Sequence, residues 1–267
     1  MKDYQPTFDR LWDQYIGLCP SALKIRNLLK GKGTLVNDHI ALRTLDDSRI
    51  NKMVLAANFE EMGYIIKGQY HFEDKKLDAV HLEHPDPLAP KVFISELISS
   101  AFSEELQKVM KKSLEEISEK WEGHQDLLFQ GRLWSIPSYE IYENLRKESE
   151  YAAWFYVYGF CANHFTLYVN YLDAFSGLEE LNNFLIRNGF KLNTSGGVIK
   201  GDPTVFLEQS STLADLIELE FQEGNYPIPG CYYEFAYRYQ KGNSIFNGFV
   251  TQSADKIFES TDKKERG

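Results

Sequence analysis

Hydrophobic and polar positions along this chain run in strand-like and helix-like periods, and the order of those periods occurs twice. The stretch Val36-Asn37-Asp38-His39-Ile40-Ala41-Leu42-Arg43 opens a strand-like run. An amphipathic segment follows it and ends at Met62-Gly63-Tyr64. Cys161-Ala162-Asn163-His164-Phe165-Thr166-Leu167-Tyr168 opens a second such run, and its amphipathic segment ends at Asn188-Gly189-Phe190. Glycine at each of those ends suits a helix C-cap. Val80-His81-Leu82-Glu83 then matches Val205-Phe206-Leu207-Glu208. His39 lies 41 positions before Val80, and His164 lies 41 before Val205. Equal spacing across a helix and several turns marks an internal repeat.

Each copy closes on a strand that carries a glutamate, Glu96 in Val92-Phe93-Ile94-Ser95-Glu96-Leu97 and Glu234 in Cys231-Tyr232-Tyr233-Glu234-Phe235. The histidine-to-glutamate spacing is 57 in the first copy and 70 in the second, so the second carries 13 extra residues. The segment from Glu220 to Gly230, rich in glycine and proline, has the turn chemistry to hold them. The pattern therefore predicts two β-α-β-β-β modules, over 35–98 and 160–240, within a single domain of α+β class. One or two helices are expected in 5–30, and a helical insertion over 99–159. Within that insertion the aromatic run Trp154-Phe155-Tyr156-Val157-Tyr158 reads as strand-like. Ser195-Gly196-Gly197-Val198 reads as a hairpin turn.

Composition narrows the function classes. The 267 residues are 43% hydrophobic and 25% charged, with a net charge of −10. No basic stripe exists to neutralise phosphates, so nucleic acid and anionic membranes are not expected partners. Lys108, Lys111 and Lys112, and the C-terminal Lys263, Lys264 and Arg266, read as solvated helix faces. An anionic substrate would meet an opposing general field and need a local cation. No apolar stretch of membrane-spanning length occurs, nor a signal-peptide pattern. Cys19, Cys161 and Cys231 are scattered, with no metal-ligand spacing, which fits a reducing cytoplasm.

Side chains alternate along a strand, so His39, Ala41 and Arg43 share one face, as do His164, Thr166 and Tyr168, and Tyr232, Glu234 and Ala236. Two modules related by a pseudo-twofold axis, curved into a cup, would bring the two histidines and Glu234 to one point. Two imidazoles and one carboxylate form a facial triad with open positions, suited to Fe(II) or a related divalent ion. Glu96, the repeat mate of Glu234, stands as a fourth ligand or as an orienting group behind the others. His81 is an alternative ligand, while His71 and His124 sit in polar contexts typical of a surface. Arg43, four residues after His39 on the same face, offers a planar fork for a substrate carboxylate. Its alternative is a structural ion pair.

The run from Val36 to Thr44, with Phe93–Leu97 and Tyr232–Phe235, resembles the 2-oxoadipate dioxygenase/decarboxylase family of the vicinal oxygen chelate superfamily. The resemblance covers about 35–240. It implies Fe(2+) held by His39, His164 and Glu234, with Arg43 binding the carboxylate of a 2-oxo acid. It also implies the reaction of 2-oxoadipate with O2 to 2-hydroxyglutarate and CO2, a step of lysine degradation. Many bacterial members carry a longer C-terminal segment that touches substrate, and no residue here matches it. That leaves the distal carboxylate open, with Arg132 as one candidate. A glyoxalase-type isomerase or lyase using His39, Glu96, His164 and Glu234 is the rival enzyme. A non-catalytic small-molecule-binding module of the same fold is the other alternative.

Overall fold

The computed structural model describes residues 3–121 and 124–250. The basic positions at 263, 264 and 266 lie outside the described residues. In chain order the main elements are α1 (Gln5–Leu18), α2 (Pro20–Leu28), β1 (Asn37–Leu45), α3 (Lys52–Glu60), β2 (Ile65–Phe72), β3 (Leu77–Glu83) and β4 (Lys91–Leu97). They continue with α4 (Glu104–Glu115), α5 (Tyr139–Glu148), α6 (Glu150–Tyr158), β5 (Ala162–Tyr168), α7 (Leu178–Arg187), β6 (Lys200–Asp202), β7 (Leu207–Ser211), β8 (Leu216–Phe221), β9 (Gly224–Pro229) and β10 (Tyr232–Arg238). The first copy of the repeat follows the β-α-β-β-β order and the second follows it with β8 and β9 inserted before its last strand, α+β in class, and α1 and α2 supply the N-terminal helices.

The chain divides into two compact units. The first comprises residues 1–15, 41–163 and 216–228. Its strands run in the order β2-β3-β4 and then the latter part of β1, with β3 antiparallel to both β2 and β4. The second comprises residues 16–40, 164–215 and 229–267. There the first residues of β1 are followed by β5, β10, β7 and β6. β10 is parallel to β5 and antiparallel to β7.

Three local expectations give way. The aromatic run 154–158 belongs to a helix, α6, in which Tyr151 to Tyr158 are all buried. Such a run has no polar face to reveal its period, and the ends decide it. The Ser149 hydroxyl accepts from Ala152 N, and Gly159 terminates the helix at φ 65°. A Cβ at Gly159 would meet the Gly131 carbonyl oxygen at 2.3 Å, so that end is reserved for glycine. The extra residues near 220 form a hairpin, β8 and β9, rather than a turn. The alternation in Leu216-Ile217-Glu218-Leu219-Glu220-Phe221 explains it. Strand β7 starts at Leu207, because 203–205 form a 3-10 turn and Phe206 takes a left-handed φ of 64°. Lys108, Lys111 and Lys112 are exposed on α4, as expected.

Candidate metal centre

The second unit brings His39, His164 and Glu234 together. One donor atom from each lies within 4.8 Å of the others, the only such group of three among the described residues. His39 Nε2 is 3.5 Å from Glu234 Oε1, and His164 Nε2 is 3.3 Å from Glu234 Oε2. Donors about 2.1 Å from one divalent ion stand roughly 3.0–3.4 Å apart for angles between 90° and 109°. The cluster fits an ion of that size and donor preference.

The register explains the convergence. In the parallel pair β5–β10, Tyr232 stands opposite His164 and Glu234 opposite Thr166, so all four side chains share a face. The Tyr232 ring stacks on the His164 imidazole with centroids 4.8 Å apart at 27°. His39 enters from β1 with its ring 5.5 Å from that of His164 and nearly perpendicular to it.

The groups behind the donors are as ordered as the donors. His39 Nδ1 donates to Asp38 Oδ2 at 2.7 Å, which leaves the Nε2 lone pair on the metal side. The Thr166 hydroxyl lies 3.0 Å from that nitrogen. Asp38 in turn accepts from Arg238 Nε at 2.6 Å and Nη2 at 2.8 Å, a bidentate pair buried on both sides. Arg238 Nη1 donates to the Phe246 and Gly248 carbonyls. Gln209 donates its side-chain amide to Glu234 Oε1 at 2.6 Å. Glu234 itself is fully buried, and burial pushes its pKa up from 4.5 to about 8, against the lowering effect of the Gln209 hydrogen bond. A carboxyl in that state ionises when a cation arrives.

Asp38 and Arg238 were not singled out from sequence. Arg238 follows Glu234 by four residues on one strand, the relation Arg43 has to His39, and that parity was the available signal. Asp38 precedes its histidine directly, and adjacent strand residues point to opposite faces, so parity argued against the contact. Asp38→Asn tests the chain of contacts. Metal affinity is expected to fall about 10- to 100-fold, the usual effect of removing a histidine's carboxylate partner. Stability should also drop by about 3–5 kcal/mol, because Arg238 keeps its buried charge without a counter-ion. The check is a metal titration held well below the variant's unfolding temperature. Unchanged affinity would dismiss the Asp38–His39 linkage.

The remaining site expectations fall within the first unit. Arg43 is 3% exposed, with its guanidinium carbon 4.8 and 4.9 Å from the ring centroids of Tyr151 and Trp154. Glu96 is engaged elsewhere than with a metal. Its Oε2 accepts from Lys52 N at the start of α3 at 2.8 Å, and its Oε1 contacts Lys52 Nζ. A carboxylate at a helix N-terminus is favoured by the exposed backbone N–H groups. The four-ligand set of the rival isomerase thus loses its fourth member. Arg132 donates to the carbonyls of Trp134 and Val157, and burial lowers its pKa. His81 lies between Tyr70 and Glu83 and joins no metal group, while His71 and His124 are exposed.

No helix is long and apolar enough to cross a membrane, among the described residues. Residues 21–242 match the family model for 2-oxoadipate dioxygenase/decarboxylase. The chain is 37% identical over 255 residues to the chloroplastic 2-oxoadipate dioxygenase/decarboxylase of Arabidopsis thaliana, covering 85% of this chain and 68% of that one. Among solved structures, one from Shewanella frigidimarina NCIMB 400 is 45% identical with a TM-score of 0.89, covering 94% of this chain and 99% of that one. The hydroxyglutarate synthase of Oryza sativa, solved in complex with 2-oxoadipate, is 31% identical with a TM-score of 0.90, covering 98% and 93%. The α+β fold is thus of the vicinal-oxygen-chelate kind, and the chain is an enzyme that belongs to the 2-oxoadipate dioxygenase/decarboxylase family.

Proposed function

We propose that this enzyme converts 2-oxoadipate and O2 to 2-hydroxyglutarate and CO2, with Fe(II) held by His39, His164 and Glu234. The observation that carries the reading is the buried cluster of two imidazoles and one carboxylate at ligand spacing. A divalent ion there supplies Lewis-acid polarisation of the keto group and a place for O2 to react. Everything else falls to the protein. Three protein donors leave room for a chelating substrate, whereas Glu96, held by Lys52, adds no fourth.

Each neighbouring residue has a defined task in this reading. Asp38 keeps the proton on His39 Nδ1, and Arg238 keeps Asp38 ionised through its bidentate pair. Gln209 fixes the rotamer of Glu234. Tyr232 covers one face of His164 and excludes water from it. Arg43 binds the substrate carboxylate next to the keto group. The Tyr151 and Trp154 rings against its guanidinium limit its motion. A reducing cytoplasm remains the proposed setting, although the Arabidopsis relative is named as chloroplastic.

The test is turnover by Fe(II)-loaded protein, with O2 uptake, CO2 release and 2-hydroxyglutarate followed together. Atom balance requires one O2 consumed and one CO2 released per 2-oxoadipate. No turnover with 2-oxo diacids of several lengths, in fully metallated protein, would overturn the reading. Turnover of a methylglyoxal–thiol adduct without O2 uptake would replace it with the isomerase.

A further inference from the structure

The short hairpin that follows β10 leads directly onto the candidate metal centre. Its two strands, Gln240–Lys241 and Ser244–Ile245, pair antiparallel within the second unit. Phe246 N then donates to the Tyr239 carbonyl at 3.0 Å, and the Phe246 ring lies 6.2 Å from that of Phe206. At Gly248 the chain folds tightly over the Phe246 ring, where a Cβ would meet Phe246 Cζ at 2.8 Å. The next residue, Phe249, sets its ring edge-to-face with the His39 imidazole, centroids 4.9 Å apart at 88°. His39 is 2% exposed, whereas Phe249 is half-buried. The phenyl ring therefore has one side on the imidazole and another toward solvent.

Arg238 secures this segment while it serves the site. Its Nε and Nη2 hold Asp38, the carboxylate behind His39. Its Nη1 donates to the Phe246 carbonyl at 3.0 Å and to the Gly248 carbonyl at 2.8 Å. The guanidinium carbon also lies 5.5 Å from the Phe249 ring centroid, within cation–π range. The two duties fall on different nitrogens, so the Nη1 contacts can break while the Asp38 pair stays intact. Opening the segment gives up an aromatic contact, a cation–π contact and two carbonyl hydrogen bonds, each individually modest.

We propose that residues 246–249 are a strap that gates the candidate metal centre, with Phe249 as its cover and Arg238 as its latch. The inference rests on the metal reading of His39, His164 and Glu234, and adds the residues that govern passage to them. Phe249 is here a positioning and shielding residue, not a ligand. A gate acts on entry and exit alike. If opening becomes more frequent, both rates rise by one factor, and their ratio, the affinity, stays where it was. A ring that merely props His39 acts differently. Its loss frees the imidazole, speeds exit alone and weakens affinity.

The experiment follows Co(II), as a probe ion, in wild type, Phe249→Ala, Phe249→Leu and Phe246→Ala. Stopped-flow transfer to excess chelator gives the exit rate, direct mixing gives the entry rate, and competition gives Kd. Phe249→Ala is expected to raise entry and exit together by about 2- to 13-fold or more, the equivalent of one aromatic contact, with Kd within about threefold. Phe249→Leu keeps an apolar cover and should fall between wild type and alanine. Phe246→Ala loosens the strap at Phe206 without touching His39 and should show the same paired acceleration, so the proposal stays testable if a Phe249 variant folds poorly. Unchanged rates, or faster exit with weakened Kd and unchanged entry, overturn the strap while the metal reading stands. Wild type that binds no Co(II) overturns both.

Discussion

Glu234→Gln is expected to abolish metal binding and turnover, yet to leave the metal-free protein more stable than wild type near pH 8. The loss of metal follows from the donor set, since an amide oxygen is a neutral, weaker ligand than a carboxylate. The gain in stability follows from burial. In the metal-free fold the Glu234 pKa stands at about 8, against an ordinary 4.5. The folded state therefore holds a proton that the unfolded state has released between those two values. The stabilisation linked to that proton is fully present below pH 4.5 and is lost as pH rises through about 8. A shift of this size corresponds to on the order of 3–5 kcal/mol. Glutamine cannot ionise, so the variant should lack this slope. The check is metal content with unfolding free energy from pH 4.5 to 9 in the presence of a chelator. A parallel pH slope in both proteins, or full metal occupancy in the variant, would refute the account. Metal binding by wild type should release a proton below pH 8, because the ion requires the carboxylate.

Replacement of Arg43 is the second large effect. A substrate clamp loses its planar fork in Arg43→Lys, and substrate binding should weaken about 10- to 150-fold even though the charge is kept. Metal content should be unchanged. A purely structural arginine predicts the opposite order. Lysine would retain most of the contact with the Tyr151 and Trp154 rings, an interaction worth about 0.5–2 kcal/mol. Activity would then survive in Arg43→Lys, and Arg43→Ala would lower the melting temperature first. Measuring kcat/KM, melting temperature and metal content for both variants separates the two. Near-normal kcat/KM in Arg43→Lys would remove Arg43 from the substrate site.

The convergence of His39, His164 and Glu234 was legible in the amino-acid sequence because two simple rules located it. Equal spacing of 41 residues aligned the repeats, and strand parity placed His39, His164 and Glu234 on matching faces. Neither rule reaches the groups behind them. The Asp38–His39 contact joins sequence neighbours, which alternation assigns to opposite faces. Its partner Arg238 comes from 200 residues away. Glu96 illustrates a different limit. Repeat symmetry predicts equivalent position but not equivalent neighbours, and in the first copy Lys52 occupies the carboxylate. The α6 run illustrates a third limit. With every residue buried, its sequence carries no amphipathic signal, and only the caps at Ser149 and Gly159 distinguish helix from strand.

The hairpin β8–β9 has a consequence for synthesis of the chain. It lies within the second repeat by sequence but belongs to the first unit, where Glu223 accepts from Ser138 Oγ and from Tyr139 N at the start of α5. Tyr226 stacks on Tyr139 with ring centroids 3.8 Å apart. Residues 16–40, conversely, precede the first repeat and belong to the second unit. A nascent chain released up to the repeat boundary near residue 160 thus holds neither unit complete. The first waits for residue 228 to emerge, and β10, which carries Glu234, follows only four residues later. Domain-by-domain folding on the ribosome, open to most duplicated proteins, is closed to this one. The cluster of His39, His164 and Glu234 cannot close before β10 has left the ribosome, so any metal capture there follows the emergence of Glu234.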